Sequence, residues 1–556
     1  MLAQWFFHRR DAVTPGTFGS RASVRRASYF GKAVLTAVRL CVPAVLLFFL
    51  ACGSKPIDPR TVIPNDALVY LESKDLGAAV RAITENPKFQ EAAKTRPDVS
   101  ALDGVRLAVA VTGFETSEET VTDENAVLNF QPRFVAVIET NAWGWQTSKF
   151  VENGLGEFVN EAYGGAVELE ITTRKDGEFY VWTSQGGRKA YALQQGSLVF
   201  FGNDESAIER CQAVKRGEAE SIANNAKIAQ STDRLAFGYV SPEGVAQIAN
   251  IVGVSFAMSA GEEADVKSFV AGVLPVILRN SLKDLTWTAA KVEGGIEDKF
   301  VADLDEESSR VFDETIAPGP AGDNMLLSFV PASSASVTRY LLRDPQLTWR
   351  SVLLTAQKKT DETSGALIGA YAGSVFEPYG IEDAEAFLSS VGSQLFTVKL
   401  ASDSEDVAVI AAIKDPIKIK ASLAEEINIK RAPESQFGAE VWKSEDGELA
   451  AAIIGDTVVS GDAATVLKCL EAKRVESSQD LVRQFSSSDA VATTVARQSG
   501  SLEKMIGILV GENTGTPSIG LTHRTETRFN RNGIERRTLS DFGFIGWLIE
   551  SVAAPE

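Results

Sequence analysis

One part of this chain is written twice, and nothing else limits its fold as much. Val181-Trp182-Thr183-Ser184 returns as Val441-Trp442-Lys443-Ser444, at an offset of 260. Gly196 to Gly202 matches Gly455 to Gly461 at 259, and Cys211 with Lys215-Arg216 matches Cys469 with Lys473-Arg474 at 258. Single-residue drift of this kind is what small loop insertions produce. Outside these matches, Phe134 to Ile138 resembles Val407 to Ile410, and Gly295-Ile296-Glu297 resembles Gly533-Ile534-Glu535. A period this long means paired homologous domains and not a solenoid.

Each copy reads as an α+β unit. Asp66 to Leu71, Val105 to Val111 and Phe134 to Glu139 are apolar or alternating, as strands are. Val167 to Thr172, Glu178 to Trp182 and Leu198 to Phe201 are short strands, with Asp176-Gly177 a hairpin signal between the first two. Leu76 to Ile83 and Thr147 to Ala162 have helical spacing. Asn203-Asp204 precedes a helix over Glu205 to Val214, and Asp462 precedes its counterpart over Ala463 to Ala472. The expected fold class is α+β: two homologous tandem domains, each a mostly antiparallel sheet with helices packed on one face. The boundaries read as residues 1–51 for an export signal, 52–62 for a tether, 63–314 for the first repeat domain, 315–323 for a Pro-Gly linker and 324–556 for the second. Leu539 to Val552, apolar and aromatic, is expected to cap the second domain or, as the weaker option, to touch a membrane.

The amino-terminal region is read from its charges and its apolar run. Seven basic residues and one acid precede Cys52, and the apolar core from Leu40 to Ala51 has 12 residues, short of the roughly 20 a spanning helix needs. That is a cleavable signal. Leu50-Ala51-Cys52-Gly53-Ser54 resembles a lipobox, with Phe49 where Leu is usual. A diacylglyceryl thioether at Cys52 then holds the protein on a membrane, each buried methylene contributing about 0.8 kcal/mol. The alternatives are an uncleaved anchor over Ala33 to Cys52 and a start site downstream of Met1. Without residues 1–51 the chain keeps 48 basic against 73 acidic residues, a formal charge of −25. Such a body repels phosphate backbones and anionic lipid, so no nucleic-acid partner is expected and attachment falls to the anchor. After signal removal the cysteines are Cys52, Cys211 and Cys469, too few for a disulfide framework. Cys211 and Cys469 read as buried apolar thiols.

Catalytic signatures are scarce. Beyond the signal the only histidine is His523, in a polar strand-like run. That leaves no ordinary nucleophile-histidine pair or zinc set, and no catalytic, metal or cofactor-binding residue is assigned. Acidic clusters at Glu115–Glu124, Asp303–Glu307 and Asp403–Asp406 lack calcium-loop spacing, and the first and third read as solvated hairpin tips. Trp182 and Trp442 are a matched pair that serves either as core or as a ligand platform.

Ile63-Pro64-Asn65-Asp66-Ala67-Leu68-Val69-Tyr70-Leu71 follows the pattern Pro-x-Asp-Ala-x-x-Tyr. With the preceding signal and the long repeat, the chain resembles a family of uncharacterised bacterial envelope lipoproteins, a domain-of-unknown-function group. The resemblance implies an α+β repeat outside the cytosol and carries no active residues. The expected role is a non-catalytic lipid-anchored envelope protein facing the periplasm, on the outer more than the inner membrane, that binds a partner protein or envelope component. The alternatives are a carrier or sensor of an apolar ligand, held between sheet and helices, and a His-independent carboxylate-based hydrolase.

Overall fold

The computed structural model describes residues 56–552 apart from 94–96, 123–124, 230–233, 259–263, 321–323, 403, 475–478, 487, 499–504, 507–508 and 511–520. Cys52 and the signal lie outside the described residues. The first ten strands are β1 (Val69–Ser73), β2 (Arg106–Thr122), β3 (Asn125–Glu139), β4 (Val167–Arg174), β5 (Gly177–Ser184), β6 (Lys189–Gln195), β7 (Leu198–Gly202), β8 (Ala236–Val240), β9 (Leu282–Val292) and β10 (Gly295–Leu304). The next ten are β11 (Ser336–Leu341), β12 (Val391–Lys399), β13 (Val407–Ile413), β14 (Glu434–Gln436), β15 (Ala439–Lys443), β16 (Leu449–Ile454), β17 (Thr457–Asp462), β18 (Ala492–Gln498), β19 (Leu521–Asn530) and β20 (Gly533–Ser540).

All pairings between these strands are antiparallel, and they join into one sheet. From one edge its order is β4-β5-β6-β7-β3-β2-β1-β8-β9-β10, then β20-β19-β18-β11-β12-β13-β17-β16-β15-β14. Two separate sheets were expected. They are merged because β10 lies antiparallel to β20 over eight residue pairs, Ile296 facing Ser540 through Asp303 facing Gly533. Near the middle of this joint Lys299 faces Arg537. Like charges directly opposite are unfavourable. Glu535 takes both, at 2.7 Å from Lys299 and 2.6 Å from Arg537.

Helices cover both faces of the sheet, not one. The reason is in the central strands, which are apolar on both sides. Leu107, Val109, Val111, Ala136 and Ile138 enter one core, while Ala108, Ala110, Val135 and Val137 enter the other. Strands apolar on both faces need cover on both. The first core takes the helix Leu76–Thr84 and the second takes Glu205–Lys215. The second half repeats this, with Val466, Cys469 and Leu470 of Ala463–Ala472 on one face and Trp349 of Pro345–Lys358 on the other. Both cysteine-bearing helices start at an aspartate cap, Asp204 accepting from Ser206 N–H and Asp462 from Thr465 N–H. Asn203 is not part of the cap. Its amide bridges to β3, donating to Pro132 O and accepting from Phe134 N–H.

The carboxy-terminal helix Gly543–Val552 does not cap the second half's own core. Phe542, Ile545, Leu548 and Ile549 pack into the first half's core, with Leu76, Val80, Ile83 and Trp287. The helix after β10, Glu306–Thr315, makes the reciprocal move. Phe312 meets Phe529 of β19 edge-on at 5.6 Å, and Ser309 Oγ donates to Asn532 O. The 315–323 stretch follows that helix, and its Ala317 and Gly319 hydrogen-bond to Arg343 and Leu341 at the end of β11.

Candidate functional site

The described chain starts at Pro56, four residues past the anchor cysteine of the sequence reading, and is pinned at once. Ile57 N–H donates to Glu139 Oε2 at 3.2 Å. Asp58 accepts from the backbone and guanidinium of Arg60 and so starts the short helix Pro59–Val62. Burial works against the Asp58 charge, but the hydrogen bonds from Arg60 outweigh it and hold the carboxyl below its ordinary range. Deeper in, Tyr70 donates to Glu72 at 2.8 Å, and burial with the Glu72 charge keeps the phenol protonated. Arg60 lies 3.8 Å from Glu72, so residues 57–60 are tied to β1 through Arg60 and to the end of β3 through Ile57.

Glu139, at the carboxy end of β3, is fully buried. Its second oxygen accepts from Asn141 N–H at 3.1 Å. Asn141 sits in the left-handed region at φ 54°, turning the chain sharply out of the strand. Thr140 Oγ1 donates to Ser197 O, and Gln146 Oε1 accepts from Trp143 N–H at 3.0 Å. The braced turn presents Trp143, at the cap of the short helix Gly144–Lys149, and Trp145 in its first turn, which are 48% and 60% exposed. Sequence reading passed over both. An adjacent Trp-Gly-Trp was the available signal, but whether a tryptophan is buried is decided only by packing.

Trp182 and Trp442 are both buried. Trp182 stacks on Tyr180 at 6.0 Å and meets Phe201 edge-on, while Trp442 Nε1 donates to Arg431 O at 3.1 Å. Neither ring offers a platform to a ligand. Nor are they matched in the ladder. Gly202 faces Tyr191 and Tyr191 faces Val181, whereas Gly461 faces Ala450 and Ala450 faces Lys443. Val181 and Lys443 therefore hold like places, and Trp442 stands where Tyr180 does. A two-residue shift keeps a strand residue on the same face, so both rings still enter a core.

Cys211 and Cys469 are free and buried in different cores, and burial pushes each thiol up to about 12. Thiolate is the reactive form, so neither is a nucleophile near neutral pH. Folded protein is expected to leave both unmodified by a maleimide, and unfolded protein to expose both. Rapid labelling of either in the folded state, read by peptide mass, contradicts this. His523 lies half-buried in β19, facing Ala496 and Ser540. The described part of the first acidic cluster, Glu115 to Thr122, lies on β2 and not in a loop, and Ser404 to Asp406 of the third lie between β12 and β13. The second is structural: Asp303 pairs with Lys227, and Asp305 caps Glu306–Thr315 and pairs with Lys359 at 2.9 Å. Among the described residues no group of three or more His, Cys, Asp or Glu comes together to hold a metal, and no helix is long and apolar enough to cross a membrane. A shallow recess lined by Glu72, Lys74, Arg234, Ala236 and Phe237 has room for about one water molecule, too little for a small-molecule site.

Compared with family models, curated proteins and solved structures, the chain matches none.

Proposed function

We propose that this chain is a lipid-anchored, non-catalytic envelope protein built by duplication, and that it binds a partner protein or envelope component outside the cytosol. The duplication is supported by the strand order, in which β11–β20 follow the neighbour relations of β1–β10 one for one. It is supported again at the joint. Gly295 (φ +145°) and Gly533 (φ +147°) mirror each other, and a Cβ on either would fall within about 2.2 Å of a backbone carbonyl, of Ser540 and of Ala302. Only glycine suits such a close antiparallel approach. On this reading the molecule is a fused pseudo-dimer, its two repeat domains meeting at β10 and β20.

The anchoring rests on the lipobox-like run at Leu50 to Ser54, whose cysteine stands five residues before Ile57, a residue bonded to buried Glu139. Removing the acceptor thiol tests it. Cys52→Ser is expected to move most of the protein from the membrane to the soluble fraction, and wild-type intact mass to carry a diacylglyceryl group on Cys52. A Cys52→Ser protein that stays bilayer-attached through alkaline washing overturns the anchor. The non-catalytic part draws on the two sealed thiols and on His523 lying within a ladder. Turnover of any substrate, abolished by one point substitution, overturns that part.

A further inference from the structure

We infer that Trp143 and Trp145 form a membrane contact, resting in the headgroup layer of the bilayer that holds the Cys52 lipid. The inference builds on the lipid-anchor reading above and adds to it a defined second point of attachment. One buried carboxylate fixes both ends of the argument. Glu139 accepts from Ile57 N–H at 3.2 Å through one oxygen and from Asn141 N–H at 3.1 Å through the other. Ile57, five residues after Cys52, and Asn141, two residues before Trp143, are therefore held side by side. Residue 52 is five residues from Ile57, at most about 18 Å along an extended chain. Trp143 is four residues past Glu139, so its Cα lies within about 15 Å of that strand end. A bilayer that holds residue 52 is within reach of both rings.

The rings are presented, not merely left outside. The loop is turned by Asn141 and braced through Thr140 and Gln146. Indole has a large apolar body and one N–H donor, which suits it to the boundary between acyl chains and water. Lys149 completes the arrangement, with Nζ 5.4 Å from the Trp145 ring centroid. An ammonium beside an aromatic ring can meet a lipid phosphate at that depth. The rest of the molecule is acidic, so long-range attraction to anionic lipid is not the driving force. Ring burial in zwitterionic headgroups is, and the lipid anchor supplies the high local concentration that makes a two-residue contact effective.

The test uses the full protein extracted from membranes and reconstituted into phosphatidylcholine vesicles, with and without brominated phosphatidylcholine as a quencher within the bilayer. Wild-type tryptophan emission is expected to fall in the brominated vesicles. The Trp143→Phe/Trp145→Phe double variant, which keeps aromatic bulk, is expected to lose that quenching while its remaining emission is unchanged. Equal quenching in both proteins, or none in the wild type, overturns the inference. The amino-terminal peptide mass of the same samples separates the two readings. An acylated Cys52 without quenching at residues 143 and 145 defeats the membrane contact alone. Quenching without acylation defeats the lipid anchor alone.

Discussion

Replacing Ile549 with aspartate is expected to loosen the first half of the chain, although residue 549 lies at the far end of the second. Ile549 is fully buried in the core that also holds Leu76, Val80, Ile83, Trp287 and Ile296. Its helix is led in by Asp541, whose carbonyl accepts from Asn86 Nδ2 at 2.7 Å and whose carboxylate pairs with Lys88 at 2.9 Å. Both partners belong to the first half. Phe544 then packs edge-on to Trp287 at 5.1 Å and to Phe300 at 5.8 Å. Truncating a buried isoleucine to alanine costs about 2–5 kcal/mol, and an unpaired buried carboxylate adds to that. Such a loss is comparable with the whole stability of an ordinary domain. Hydrogen exchange should show lost protection first in β9, β10 and the helix Leu76–Thr84, with β15–β17 retained. Lost protection confined to β15–β17 would mean that the helix serves its own half.

Asp298 is expected to make the same junction sensitive to pH. Its carboxylate is 2% exposed and accepts from Trp287 Nε1 at 2.8 Å and from Phe544 N–H at 2.6 Å, so it caps the carboxy-terminal helix from inside the core. Burial dominates over these two hydrogen bonds and raises the carboxyl from 3.8 to about 7. Glu297 on the same strand adds a smaller push in the same direction. The other charges around the helix entrance are paired, Lys88 with Asp541 and Lys291 with Glu85. Because the folded value lies above the unfolded one, the folded state holds a proton that the unfolded state has released. The contribution is fully present below about pH 4 and is lost as pH rises towards 7. A rise of that size corresponds to roughly 4 kcal/mol at most. Asp298→Asn cannot ionise, so its stability should vary less across that window. Its stability deficit against the wild type, read from denaturant midpoints, should shrink from pH 5 to pH 8. A deficit that does not change with pH removes Asp298 as the titrating group.

Much of the local structure could be read from residues alone. The Asp204 and Asp462 caps, the helices after them and the apolar runs at Val105–Val111 and Phe134–Glu139 appear where their chemistry puts them. Two of the readings that went astray share a reason. The Val-Trp match aligned Trp182 with Trp442, but the ladder aligns Trp442 with Tyr180. Aromatic residues two apart on a strand share a face, so sequence similarity cannot choose between them. The single covered face was the other error. A strand such as β3 sends Val135 and Val137 one way and Ala136 and Ile138 the other. Its unbroken apolar run carried that information, yet short strands of this kind are also met in one-sided sheets.

The proposed attachment draws on two kinds of signal. Cys52 and its flanking residues stand out in the sequence, as a linear motif does. Trp143 and Trp145 did not stand out, because exposure is a property of the assembled loop. What the amino-acid order determined here is local: which segments are strands, where helices begin, which thiols are apolar enough to bury. Tertiary structure alone decided that β10 finds β20, that the last helix crosses to the other half, and that Glu139 gathers Ile57 and the turn at Asn141. Those contacts join residues up to several hundred positions apart, and no local propensity or periodicity encodes a partner at that range.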